Sequence, residues 1–306
     1  MSEAQVTLGP VLFNWAPQLW RDFYFRIADE AAVSTVYVGE VICSKRAPLF
    51  VPYVEEVVAR LIAGGKSVVY STLAQVTQKI DTRLVDSITG LAGATVEAND
   101  ACALRTLRGR PHHVGPFINT YNEDTLAFLA GRGARNVCLP PELPIGAIEM
   151  MGEAGARLST SIEVQVFGRQ PLALSARCYH ARAHGHTKDS CLFVCEQDAD
   201  GLRLDTLDSV PLLAINGIQT LSYGYLNLAR EVPRLRAAGV TRFRLSPHSC
   251  DMVEVANVFR ALLDETLDPG TAQARLEALG LRAPFANGFF YRRPGHQLIG
   301  AEQASA

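Results

Sequence analysis

The chain has 306 residues, 48% of them hydrophobic and 20% charged, a balance that supports a sizeable folded core and excludes disordered or collagen-like architectures. A formal charge of -2, with 29 basic residues scattered along the chain, leaves no electrostatic footprint for nucleic acid. No stretch reaches the ~18 apolar residues of a bilayer span, and residues 1–10 lack a signal-peptide pattern, so the expectation is a cytoplasmic protein that is not an integral membrane protein.

Short runs rich in β-branched residues recur at residues 7–13, 34–40, 67–73, 95–98, 113–117, 136–140, 161–167, 212–216 and 241–246. Runs such as Val68, Val69, Tyr70 and Val137, Cys138, Leu139 do not alternate, which is how parallel strands covered on both faces read. Amphipathic helices fill the gaps. Trp20, Phe23, Tyr24 and Ile27 share a face after the first run. Val54, Val57, Val58, Leu61 and Ile62 follow the second, with Pro52 near the first turn and Gly64 and Gly65 at the close. Val255, Val258, Phe259, Leu262 and Leu263 follow the last, where Asp251 offers an N-cap and Glu254 its reciprocal partner.

Strand then helix, repeated, demands right-handed crossovers and gives an open doubly wound sheet or a closed barrel. We take the barrel: one α/β domain over residues 1–295, a TIM-barrel-like (β/α)8 fold. The run 212–216 is a ninth strand outside the ring, and residues 296–306 form a disordered tail. The interval after the seventh strand is the one long break in periodicity. It predicts a cysteine-rich insertion loop at about 175–200, and long loops inside compact domains are usually functional.

Several familiar motifs fail. Gly65, Lys66 and Ser67 resemble the end of a phosphate loop, but Arg60 stands where its first glycine is needed. Gly131 and Gly133 follow a helix instead of opening one, and Asn136 replaces the third glycine of a dinucleotide fingerprint. Neither G-x-S-x-G nor H-E-x-x-H occurs.

Cysteine placement is more informative. Cys178, Cys191 and Cys195 lie in the insertion loop with the spacing Cys-x12-Cys-x3-Cys, while four other cysteines are dispersed. Clustered thiols in a chain without a secretion signal point to a metal, either an iron–sulfur cluster or zinc with His184 or His186 as a further ligand. A cuboidal cluster needs a fourth thiolate. Cys43, just past the second strand, is the first candidate and Cys250, past the last, its rival. Cys102 and Cys138 read as small buried hydrophobes.

These residues carry a resemblance. LGPVLFNW at Leu8, YVGEVICSKR around Cys43, STLAQV at Ser71, LALSARCYHAR around Cys178, KDSCLFVC at Lys188, INGIQTLSYGYLNL at Ile215 and RLSP at Arg244 resemble the UbiV-type proteins of anaerobic ubiquinone biosynthesis, a branch of the collagenase-like peptidase family. NGFFYRR at Asn287 is a weaker echo, and the stretch between Leu262 and Ala286 departs from the pattern. The resemblance implies a 4Fe-4S cluster held by Cys43, Cys178, Cys191 and Cys195. It also implies a heterodimer with a UbiU-like paralogue that hydroxylates the ubiquinone ring without molecular oxygen, with prephenate as oxygen donor, and a lipid-binding accessory protein carrying the quinone precursor. The peptidase activity in the family's name finds no nucleophile–base motif here. The competing reading is a zinc-stabilised barrel scaffold or binding module without catalysis.

Substrate contacts in a barrel gather at the carboxyl ends of its strands. Glu40, Asn99, Asp100, Asn119, Asn216 and Arg244 fall there, and of these Glu40, Asn216 and Arg244 are the main candidates. Arg177 and Arg182 flank Cys178, and a guanidinium suits the carboxylates of an anionic donor. His180, His184 and His186 complete the loop's chemistry. His112 and His113, at a strand start, are weaker candidates.

Overall fold

The computed structural model describes residues 4–300. Strands β1 (Gln5–Leu8), β2 (Thr35–Val38), β3 (Ser67–Ser71), β4 (Thr95–Ala98), β5 (His112–Val114), β6 (Ala134–Cys138) and β7 (Ser161–Leu174) alternate with helices α1 (Pro17–Glu30), α2 (Ala47–Ala63), α3 (Lys79–Thr89), α4 (Ala101–Thr106), α5 (Glu123–Gly131) and α6 (Ile145–Leu158). Beyond β7 come α7 (Tyr179–Ala183), β8 (Leu202–Asp205), β9 (Pro211–Asn216), β10 (Gln219–Asn227), α8 (Val232–Ala237), β11 (Arg242–Leu245), α9 (Met252–Leu263), α10 (Pro269–Glu277) and β12 (Phe285–Ala286). Strands β1 to β7 pair in parallel order, and β11 pairs in parallel with both β7 and β1, through Leu245 opposite Phe167 and opposite Leu8. The ring is closed: an eight-stranded TIM barrel, with β9 outside it as the sequence suggested.

What the sequence did not show is the company β9 keeps. β7 is 14 residues long and runs past the rim, where its second half pairs antiparallel with β10, which pairs with β9, which pairs with β8. The bend at the rim is Gly168, at φ +104, where a Cβ would come within 2.7 Å of Ser246 Cβ and 2.9 Å of His248 Nε2. Only glycine suits that backbone and that space.

The helices bury the predicted faces. Trp20, Tyr24 and Ile27 of α1 are buried, and the Tyr24 hydroxyl donates to the Tyr37 carbonyl at 3.2 Å. Helix α2 starts at Ala47 with Pro48 in its first turn, so Pro52 sits in the interior, where its missing N–H breaks one rung. Asp251 caps α9 as expected, accepting from the Val253 and Glu254 N–H groups, but Glu254 does not reciprocate. Its carboxylate is held instead by Arg275 of α10. Of the expected tail, residues 296–300 are tied back to Asn287, whose Oδ1 accepts from the Ile299 N–H at 2.7 Å and whose N–H donates to the Gln297 carbonyl; residues 301–306 lie outside the described residues.

The bore of the barrel is polar. Arg244 of β11 reaches Glu97 of β4 at 2.7 Å and Glu163 of β7 at 2.9 Å, all three buried. Its guanidinium lies 4.0 Å from the Tyr37 ring. Glu163 also accepts from the Tyr37 hydroxyl, Asn136 Nδ2 and the Thr7 hydroxyl, and Glu97 accepts from Ser71 and Asn99. Buried charge is tolerated because each member has a partner.

Burial alone would raise the Glu163 carboxyl, but Arg244 beside it, with Arg242 and Thr7, more than offsets this and holds it at about 2. A carboxylate depressed on folding contributes stability above its ordinary value of 4.5, and that contribution drains away as pH falls toward the folded value. Glu163→Gln is therefore expected to lower stability at pH 7 by about 3 kcal/mol and to flatten the acid limb below pH ~4.5. Urea unfolding across pH checks both; an acid limb as steep as that of the parent chain would show that Glu163 is not the linked group.

Candidate metal centre

Two segments far apart in sequence, the turn after β2 and the stretch 178–195, meet above one sector of the rim. Cys43 lies in the turn after β2. Glu40 shapes that turn, its Oε1 accepting from the Ile42 and Cys43 N–H groups at 2.8 Å each. Cys178 is the N-cap of α7, its Sγ accepting from the Ala181 N–H at 3.4 Å. Of the three residues between Cys191 and Cys195, Leu192 and Phe193 are both left-handed, at φ 48 and 54. Two consecutive non-glycine residues in that region are costly backbone, and here they coil the chain so that both cysteines face the same space.

That space is a cavity of about 20 Å³ lined by Cys43, Cys178, Cys191 and Cys195, with Arg46, Lys188 and the apolar Val194 and Ile218 among its other walls. All seven cysteines are free thiols. Burial pushes the Cys43 and Cys178 thiols up, with Arg46 pulling in the opposite direction, so they stay protonated until something displaces the proton. Metal ions do this to thiols.

Four cysteine thiols are a donor set that either an iron–sulfur cluster or a structural zinc can use, and the two differ in how closely the sulfurs must stand. Four sulfurs around zinc at ~2.3 Å stand about 3.8 Å apart. Among the described residues the one group of three or more histidine, cysteine or acidic ligand atoms lying within 4.8 Å of one another is His180, His184 and Asp198. No three of the cysteine sulfurs approach that closely. A cuboidal cluster, with iron and sulfide between the thiolates, needs a wider set than one zinc ion does.

Basic groups surround the sulfurs. Buried Arg46 donates to the Leu12 carbonyl and to Asn216 Oδ1 at 3.0 Å each, and Glu40, Cys195 and Cys43 nearby favour its charged form against burial. Lys45 Nζ lies 3.7 Å from Cys191 Sγ while donating to the Lys188 and Asp189 carbonyls. Sequence reading missed both, because an Arg and a Lys at a helix start read as surface partners of Glu40. His180, fully buried, bonds Asp198 Oδ2 at 2.9 Å and stacks on His184 at 5.5 Å between centroids. It pins the segment after Cys178 to the segment after Cys195.

With the cysteines in one cavity, the comparison with known families becomes specific. A model of peptidase family U32 matches residues 21–300. The chain belongs to peptidase family U32. Solved structures it resembles include phospho-2-dehydro-3-deoxyheptonate aldolase from Thermotoga maritima, at 12% identity and TM-score 0.44 over 92% of this chain and 72% of that one. Another is a tryptophan synthase complex from Pyrococcus furiosus, at 9% identity and TM-score 0.42 over 91% and 98%.

The U32 family's peptidase name finds no catalytic triad where one might be sought, at Asp200, His248 and Ser249. His248 Nε2 is taken by the Arg169 N–H at 2.9 Å, and the Ser249 hydroxyl bonds Asp200 at 2.5 Å instead of the imidazole. A serine with no free base beside it is not an activated nucleophile. Cys250 sits in this neighbourhood, its Sγ 3.6 Å from the Met252 sulfur, and does not line the four-cysteine cavity. Cys138 is buried in β6, and Cys102 of α4 packs on the small core around Leu73 and Val85.

The expected substrate contacts are redistributed. Glu40 is a turn former, Asn216 anchors Arg46 and donates to the Leu12 carbonyl at 2.7 Å, and Arg244 is held in the bore by two carboxylates. Arg177 and Arg182 are exposed and neither lines the cavity. Asp100 caps α4, Asn99 turns inward to Glu97, and Asn119 lies at the barrel mouth in a left-handed conformation. His184 joins His180 and Asp198 instead of the cysteines. His112 and His113 are buried in β5. Among the described residues no helix is long and apolar enough to cross a membrane.

Removing the Glu40 carboxylate orphans two N–H groups at the Cys43 turn. Glu40→Ala is expected to cost about 2 to 4 kcal/mol and to speed amide exchange at Ile42 and Cys43, while Glu40→Gln, which still offers an oxygen, retains most of the protection. Hydrogen exchange by mass spectrometry checks this, and equal protection in all three proteins would mean that the turn holds without the carboxylate.

Proposed function

We propose that this U32-family chain is the iron–sulfur subunit of an oxygen-independent hydroxylase of the ubiquinone ring, working as a heterodimer with a UbiU-like paralogue and using prephenate as oxygen donor. The observation that carries the reading is the convergence of Cys43, Cys178, Cys191 and Cys195 on one cavity, the four positions that the sequence resemblance implies as ligands. The U32 family match over residues 21–300 is consistent with it.

A 4Fe-4S cluster bound there would supply one-electron chemistry. The residues of this chain have separable tasks. The four thiolates hold the cluster, Arg46 and Lys45 bring positive charge against its sulfurs, and Val194 and Ile218 keep water from that side. Glu40 and the His180–Asp198 pair hold the ligand-bearing segments in place, which matters because loose ligands lose a cluster to solvent.

Protein purified without oxygen is expected to be brown, with iron and acid-labile sulfide in equal amounts. Cys43→Ala, Cys178→Ala, Cys191→Ala and Cys195→Ala should each lose most of the iron, while Cys250→Ala, Cys138→Ala and Cys102→Ala keep it. Colourless protein with stoichiometric zinc would establish the scaffold reading instead. The partnership is tested by anaerobic size-exclusion chromatography with a UbiU-like paralogue. Co-elution at micromolar concentration, with ring hydroxylation dependent on both chains and on prephenate, is the expected result. Hydroxylation by this chain alone would overturn the shared site.

A further inference from the structure

The mouth of the barrel holds a second site, distinct from the cysteines. Where the bore opens, Glu97, Asn99, Gln165, Arg244 and Ser246 line a small chamber of about 20 Å³, room for a single water. Beside it lies an open cleft of about 290 Å³ that includes Asn119, Tyr121, Glu142 and Leu172. Phe117, flanked by Pro116 and Pro171, is a wall of both. Phe117 is half-buried on a three-residue turn, Pro116–Ile118, closed by Asn119 at φ 58. With Pro116 and Pro171, which also line both, its side chain stands between chamber and cleft.

The chamber's chemistry is incomplete. Asn99 Oδ1, an acceptor, and Arg244 Nε, a donor, are both buried without a hydrogen-bond partner, and each such atom costs ~1–3 kcal/mol if nothing ever pairs it. The charge is already spoken for. Arg244 is held between Glu97 and Glu163, and the open cleft adds the carboxylate of Glu142 and no lysine or arginine. An anion entering here meets more carboxylate than guanidinium. The remaining walls, Leu12, Pro116, Phe117 and Pro171, are apolar.

We propose that chamber and cleft form one binding site partitioned by Phe117, which takes an uncharged flat ring bearing a hydroxyl and rejects carboxylates. The hydroxyl gives its hydrogen to Asn99 Oδ1 and accepts from Arg244 Nε, and the ring takes the place of Phe117 against Leu12 and the two prolines. The site stands next to the cysteine cavity. Leu12 lines the chamber while its carbonyl accepts from Arg46, and Leu12, Ile42 and Ile218 form one apolar cluster against which Phe117 and Cys178 both pack. A dicarboxylate such as prephenate therefore binds elsewhere, which goes beyond the functional reading above and does not depend on it.

The test uses the full chain, purified without oxygen, with 4-methylphenol and 4-methylbenzoate as probes in ligand-observed NMR titrations at pH 7. The phenol is expected to bind at least about tenfold more tightly than the benzoate. Phe117→Ala should tighten phenol binding several-fold, and Asn99→Leu should weaken it about tenfold, the loss of one hydrogen bond to a buried acceptor. Phe117 is on a surface turn, so its variant leaves the bore network intact and keeps the test open if Asn99→Leu fails to fold. Equal or tighter binding of the benzoate, or an unchanged phenol affinity in Phe117→Ala, overturns the proposal. Iron is measured on the same samples: phenol binding in iron-free protein upholds this site while counting against the cluster, and iron without phenol binding does the reverse.

Discussion

Two adjacent strands and a third across the barrel meet on one guanidinium. Arg244 on β11 is bound by Glu97 on β4 and Glu163 on β7, and Glu163 in turn gathers Thr7 from β1, Tyr37 from β2 and Asn136 from β6. Ser71 of β3 joins through Glu97 and His113 of β5 through the Tyr37 hydroxyl, so all eight barrel strands contribute to one buried polar network. A charge in the bore has no water to fall back on, so the network is satisfied only when the ring is closed in its native register, since a one-residue slip turns every side chain to the opposite face. The rim above it inherits that precision. The turns after β2 and β7 leave the ring at fixed points, and the cysteines they lead to arrive in one cavity for that reason.

The cysteine cavity and the chamber at the barrel mouth occupy neighbouring sectors of the same face with different electrostatics. Around the cysteines Arg46, Lys45 and Lys188 bring positive charge, suited to thiolates and to an anionic cluster, while the Glu40 carboxylate is spent on the N–H groups of the Cys43 turn. At the mouth the carboxylates match or outnumber the guanidinium, suited to a neutral ring. The apolar cluster of Leu12, Ile42 and Ile218 lies between them. A shared wall of this kind keeps solvent out of both cavities while leaving them close.

Much of the fold was legible in the sequence because its barrel strands are continuous β-branched runs and its helices carry apolar faces at helical spacing. The rim sheet was not. β8 and β10 contain Arg203, Asp205, Ser222 and Gly224, which read as loop, and their pairing rests on the long second half of β7, whose Pro171 argues against a strand. The cysteine set was legible through its spacing and the resemblance together. Arg244 and Glu40 were correctly drawn to the strand ends, but sequence cannot tell an arginine facing ligand from one facing two glutamates. That difference depends on Glu97 and Glu163, which are hidden inside strand runs and are 147 and 81 residues away from it. Arg46 was missed for the same reason, since its partners Leu12 and Asn216 are remote in the chain.

The central claim is that Cys43, Cys178, Cys191 and Cys195 hold a multi-iron cluster and not a single metal ion. X-ray absorption at the iron and zinc edges of the anaerobically isolated chain tests it most directly. The account predicts an iron edge with a first shell of sulfur alone and a second shell of iron. A zinc edge with sulfur or mixed sulfur and nitrogen ligands, or iron without an iron neighbour, would contradict it.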